Sequence, residues 1–93
     1  MFKVNEYFDG KVKSLAFTSV GGPATIGVIA VGEYEFGTST KEIMTVVSGR
    51  MDVNLPDETD WQPFEEGESF TVESGKSFRV RTTGDTAYLC LYK

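Results

Sequence analysis

The chain has 93 residues, with fourteen acidic and nine basic side chains and a formal charge of −5. Residues 1–93 are therefore expected to form one domain, and the acidic balance argues against nucleic acid or an anionic membrane surface as partner. A domain this short buries only about two thirds of its unfolded surface, so its twelve aromatics (seven Phe, four Tyr, one Trp) must contribute much of its stability.

Helical periodicity is almost absent. The opening "MFKVNEYFDG" lacks the long apolar run of a signal peptide, and no stretch is apolar enough to span a bilayer. Strands are expected at Lys11–Ser19, Thr25–Phe36, Ile43–Ser48, Arg50–Leu55, Ser69–Val72, Ser77–Thr82 and Thr86–Tyr92. Between them stand the turn-forming clusters "VGGPA", "FGTST", "VSGRM", "LPDETD", "EEGES", "ESGKS" and "TTGDT". In "SFRVRT", Phe78 and Val80 share one face and Arg79 and Arg81 the other, the pattern of a strand with one buried and one wet side. In "AYLCLYK", Tyr88, Cys90 and Tyr92 alternate with Ala87, Leu89 and Leu91, so both faces are apolar and both are expected to be covered. Short β runs of this kind hide their edges by closing or pairing, which predicts a small antiparallel barrel or jelly roll. Cys90 is the only cysteine; with no partner for a disulfide, it fits a reducing, cytoplasmic setting, and it reads as a buried core residue.

The glycine spacing is more specific. "EIMTVVSG" carries Glu42 seven positions before Gly49, and "GESFTVESGKSF" carries Gly67 eight positions before Gly75, with Phe78 three further on. This resembles the two signature motifs of the cupin superfamily, whose core is a six-stranded β-barrel. The departures are as informative as the matches. Phe36, Thr38 and Phe78 stand where the metal-binding histidines would, Glu73 replaces the usual proline, Gly32 stands about two residues late, and the chain contains no histidine at all.

The segments "NEYFDGKVKS", "GEYEF", "EIMTVVSG", "LPDETDWQ" and "YLCLY", spread from Asn5 to Tyr92, together resemble the small single-domain pyrimidine/purine nucleoside phosphorylase family of bacteria. The resemblance implies an all-β, cupin-like antiparallel barrel. It implies an enzyme that splits purine and pyrimidine nucleosides with inorganic phosphate, reversibly, into free base and α-D-ribose 1-phosphate. No metal or other cofactor is expected: histidine is missing, and one carboxylate does not hold a catalytic metal securely. That weighs against a metal-dependent cupin oxygenase or isomerase. A non-catalytic cupin-like module that binds a nucleoside or sugar is the alternative.

Phosphorolysis needs a phosphate site, a sugar clamp that tolerates developing positive charge, and help for the departing base. Glu42, inward-facing by cupin register, is the candidate catalytic carboxylate; its structural alternative is an acid bonded to backbone near the barrel mouth. For phosphate, the cations Lys11, Lys13, Arg50, Arg79 and Arg81 and the hydroxyls of Thr38, Ser39 and Thr40 are the available donors. Thr38 is taken as one candidate, and the family resemblance of its segment favours Lys13, although most of these basic residues also read as solvated strand-face charges. Broad base tolerance asks for stacking on aromatic faces. Tyr34, Phe36, Trp61, Phe78, Tyr88 and Tyr92 are the available platforms, with Tyr34, Trp61, Phe78 and Tyr88 the substrate-binding candidates, against the alternative that such rings fill the barrel; Trp61 equally reads as a cap or a dimer anchor. Asp60 is a weaker candidate for assisting the base, since turn formation also explains it. A homodimer is expected, because a small domain with an apolar outer strand face gains from covering it.

Overall fold

The computed structural model describes residues 1–93 and contains ten strands and no helix. They are β1 (Lys3–Tyr7), β2 (Val12–Ser19), β3 (Gly22–Ile29), β4 (Gly32–Gly37), β5 (Glu42–Ser48), β6 (Met51–Asn54), β7 (Gln62–Phe64), β8 (Ser69–Val72), β9 (Ser77–Thr82) and β10 (Thr86–Tyr92). All pairings are antiparallel. Two sheets result, a six-stranded one in the order β1-β2-β3-β10-β5-β8 and a four-stranded one in the order β4-β9-β6-β7. After β3 the chain changes sheet at every connection except β6 to β7, the winding of a jelly roll. No helix is long and apolar enough to cross a membrane.

The inner faces of the sheets meet in a cluster that includes Val12, Ile29, Met44, Val46, Met51, Val53, Val72, Val80 and Cys90, each no more than 4% exposed. Period-two alternation puts them there. On β9, Phe78, Val80 and Thr82 are buried while Ser77, Arg79 and Arg81 are exposed. On β5, Met44 and Val46 are buried, and Glu42 lies two residues before Met44 on the same face.

The structure departs from the expected strands in three places. The Thr25–Phe36 run is two strands in different sheets, broken at Ala30 and Val31. The corner turns at Gly32, whose φ of 151° is open to glycine, and a Cβ there would meet the Tyr34 hydroxyl at 2.8 Å. That hydroxyl donates to the carbonyls of Ala30 (2.9 Å) and Val31 (3.2 Å), closing the bend. Strands β1 and β7 were not expected; each is short and mostly exposed, and forms by pairing with β2 and β6 rather than by burying a face.

The outer face of the large sheet is less covered than the alternation in β10 suggests. Across the sheet, Val4, Leu15, Ile26, Leu89 and Thr45 pair in one row. Val4 is 61%, Leu15 41% and Ile26 38% exposed, with Val28 and Val47 exposed nearby. The outer face of the small sheet is charged instead: Arg79 pairs with Glu33 (3.8 Å) and Arg81 with Asp52 (3.5 Å).

Candidate functional site

Between the sheets lies a cavity of about 390 Å³, lined by Tyr7, Phe8, Ser14, Glu35, Phe36, Gly37, Glu42, Met44, Phe78, Tyr88, Cys90 and Tyr92. That volume suits a small organic ligand, and so does a mostly apolar wall with a few polar groups. The pairing of β5 with β10 builds the polar part: Glu42 faces Tyr92 across the strands, Met44 faces Cys90, and Val46 faces Tyr88. Tyr88 fits because residue 27 on β3, its pairing partner, is glycine; a Cβ there would lie 2.5 Å from the ring.

Glu42 is half-buried, and burial pushes its carboxyl above the ordinary value of 4.5, against the lowering effect of the Cys90 thiol. Cys90 Sγ lies 3.5 Å from Glu42 Oε1 and donates to it. Burial, helped by the Glu42 charge, pushes the thiol itself up to about 12. Tyr88 is pushed up to about 12 by burial, then by Cys90, against a hydrogen bond with Ser14. Tyr92 is raised as well, again mainly by burial, and its hydroxyl lies 3.0 Å from Thr25 Oγ1. One carboxylate thus stands among three groups that keep their protons at neutral pH. The only charged side chains in the lining are Glu35 and Glu42; no Lys or Arg belongs to it.

The cupin fold often houses a metal, and the donor set here does not fit one. No three His, Cys, Asp or Glu side chains converge anywhere in the chain, and a thiol raised as far as that of Cys90 is a poor source of thiolate.

Of the residues singled out in the sequence, Phe36, Glu42, Phe78, Tyr88 and Tyr92 come together on the cavity wall. Tyr34 is 5% exposed, outside the lining, and spends its hydroxyl on the β3–β4 corner. Thr38 Oγ1 donates to the Glu73 carbonyl (2.7 Å) and accepts from the Lys76 amide (3.1 Å), joining the segment after β4 to the one before β9. Lys13 lies on the outer face of β2, between the buried Val12 and Ser14, with Nζ 3.2 Å from Glu6. Trp61 lies under the guanidinium groups of Arg81 and Arg79, 4.1 and 5.5 Å from its ring centroid, away from the lining. The exposed Asp60 uses its carbonyl to accept from Asn54.

Tyr7 and Phe8 line the cavity without having been singled out. The available signal was "YFDG", where Asp-Gly between strand-like runs marks a hairpin turn. Cys90, read as a core residue, is both buried and part of the wall.

Known proteins of similar sequence and shape agree with this architecture. A Marinobacter nauticus protein called pyrimidine/purine nucleoside phosphorylase is 65% identical over 92 residues, 99% of each chain. The crystal structure of a Vibrio parahaemolyticus protein of unknown function superposes with a TM-score of 0.92 at 47% identity, covering 97% of this chain and 96% of the other. The iron(II) form of HppE shares the fold alone, with a TM-score of 0.79 at 10% identity over 99% of this chain and 56% of that one. The family described as Ppnp, pyrimidine/purine nucleoside phosphorylase, matches residues 2–92. On that match and on identity running the length of the molecule, the chain belongs to the pyrimidine/purine nucleoside phosphorylase family.

Proposed function

We propose that the cavity between the sheets carries out phosphorolysis of purine and pyrimidine nucleosides. A phosphate oxygen bonds to the ribose anomeric carbon as the C–N bond to the base breaks. The base leaves with the bonding electron pair and takes up a proton, and the products are free base and α-D-ribose 1-phosphate. The reverse reaction builds a nucleoside. The observation that carries the reading is the half-buried Glu42 carboxylate on the wall of a cavity lined by no cation. As the C–N bond stretches the sugar becomes oxocarbenium-like, and a carboxylate in a partly desolvated site stabilises that charge more than it does in water. The protonated Tyr88, Cys90 and Tyr92 around it hold and orient the ribose, and the Phe36 ring borders the base.

Phosphate repels a carboxylate-lined wall, so it is placed at the rim. Four cations are chain neighbours of lining residues: Lys13, Lys41, Arg79 and Lys93. Lys13 and Arg79 are ion-paired, and Lys93 Nζ donates to the Gly21 carbonyl at 2.8 Å. The ammonium of Lys41 makes no such contact, and Lys41 follows the exposed Ser39 and Thr40 in the segment between Gly37 and Glu42. That segment is assigned the phosphate. The apolar outer face of the large sheet is assigned to a second copy of the chain. Light scattering at micromolar concentration then reads a dimer, and a monomer contradicts that assignment.

The test of the reaction is a pair of incubations with uridine and adenosine, with and without inorganic phosphate. Base and ribose 1-phosphate should accumulate only with phosphate. Equal release without it makes the protein a hydrolase, and no release with any common nucleoside leaves a binding module.

A further inference from the structure

The β1–β2 hairpin turns through Tyr7, Phe8, Asp9 and Gly10, closed by the Gly10 amide donating to the Tyr7 carbonyl at 3.1 Å. Phe8 and Asp9 both take positive φ, 55° and 57°, the backbone of a type I′ turn. Such turns use Asn, Asp or Gly at these positions. A bulky aromatic there is strained, and strain of this kind persists where the surrounding structure holds it, often at ligand clamps. Here the hold is visible. The Phe8 ring reaches from the large sheet to the small one, with centroid distances of 5.0 Å to Tyr34 and 5.7 Å, edge-on, to Phe36. Packing does not consume the ring, since Phe8 lines the cavity and stays 43% exposed. The inner aromatics Phe78 and Tyr88 are 2% and 7% exposed.

We propose that Phe8, held across the cavity mouth by its strained turn, is the face on which the nucleobase stacks. This rests on the nucleoside reading of the cavity. Stacking accepts every base, because every base has a π face, so one residue at the mouth serves purines and pyrimidines alike while the ribose reaches inward to Glu42. A ring fixed in place before binding also loses little freedom when the base arrives.

Phe8→Leu keeps the strained backbone and an apolar side chain but removes the π face; Phe8→Tyr keeps the face. For Phe8→Leu, KM for adenosine and uridine should rise roughly 5- to 150-fold, the range of a lost base–aromatic stack. Its kcat should stay within a few-fold of the parent and its KM for phosphate should not change. Phe8→Tyr should keep the parent values. Parent-like nucleoside KM in Phe8→Leu overturns the proposal, as does a rise in both nucleoside and phosphate KM. Calorimetric titration of free adenine reads the stack without turnover. Weaker binding in Phe8→Leu supports it even if the parent splits no nucleoside, and absent or equal binding in the two proteins overturns it.

Discussion

The two halves of the barrel interior are built from the same strands and do opposite work. Along β5 the inward residues run from Glu42 on the cavity wall to Val46, 1% exposed; along β9 they run from Phe78 to Val80, 0% exposed. The Val46–Val80 half, with Val12, Ile29, Met51 and Val53, is filled by aliphatic side chains. The Glu42–Phe78 half is hollow, with every group whose titration is clearly shifted in or beside it. The difference teaches that a 93-residue barrel concentrates stability in one half so that the other can keep an unfavourable half-buried carboxylate.

Mutations should respect that division. In the filled half, Met51→Ala should lower stability by about 2–5 kcal/mol; for a domain of this size that moves the melting temperature by well over 5 °C, measured by calorimetry. Its turnover per folded molecule should stay close to the parent. A variant that melts normally but turns over slowly would dissolve the distinction between the halves.

The hollow half should reveal itself through pH. Burial raises Glu42 above 4.5, so its neutral form suits the folded state. Its stabilising contribution is fully present below about pH 4.5 and is lost as pH rises through the folded value. In the proposed reaction activity has the opposite sign, since there the carboxylate is the working form. The acid limb of kcat/KM should therefore lie above the ordinary glutamate range. Cys90→Ala removes the thiol hydrogen bond that lowers Glu42, so the limb should move to still higher pH. Cys90→Ser keeps a donor and should leave it near the parent position. A limb unmoved by Cys90→Ala separates Glu42 from the observed titration.

Much of this architecture was legible in the sequence, because alternation is a local property. "SFRVRT" put Phe78 and Val80 on one face and the arginines on the other, and cupin register put Glu42 inward, as they stand. The same parity places Lys13 outside, between Val12 and Ser14; the family resemblance had drawn attention to it regardless. What was not legible depends on contacts distant in sequence or on turn conformation. The hydroxyl of Thr38 finds its partner 35 residues away, and the hydrophobic pattern carries no trace of that. Phe8 sits in a turn, where period-two reading stops, and its place over the cavity follows from backbone dihedrals that a phenylalanine rarely adopts.

The central claim is that the Glu42 charge assists the breaking of the glycosidic bond, and Glu42→Gln tests it most directly. The substitution keeps size and hydrogen-bonding capacity while removing the charge. At saturating nucleoside and phosphate, kcat should fall by about 10²–10³, with a melting temperature equal to or above the parent's because a half-buried charge is gone. Turnover within a few-fold of the parent in a folded Glu42→Gln protein would contradict the account.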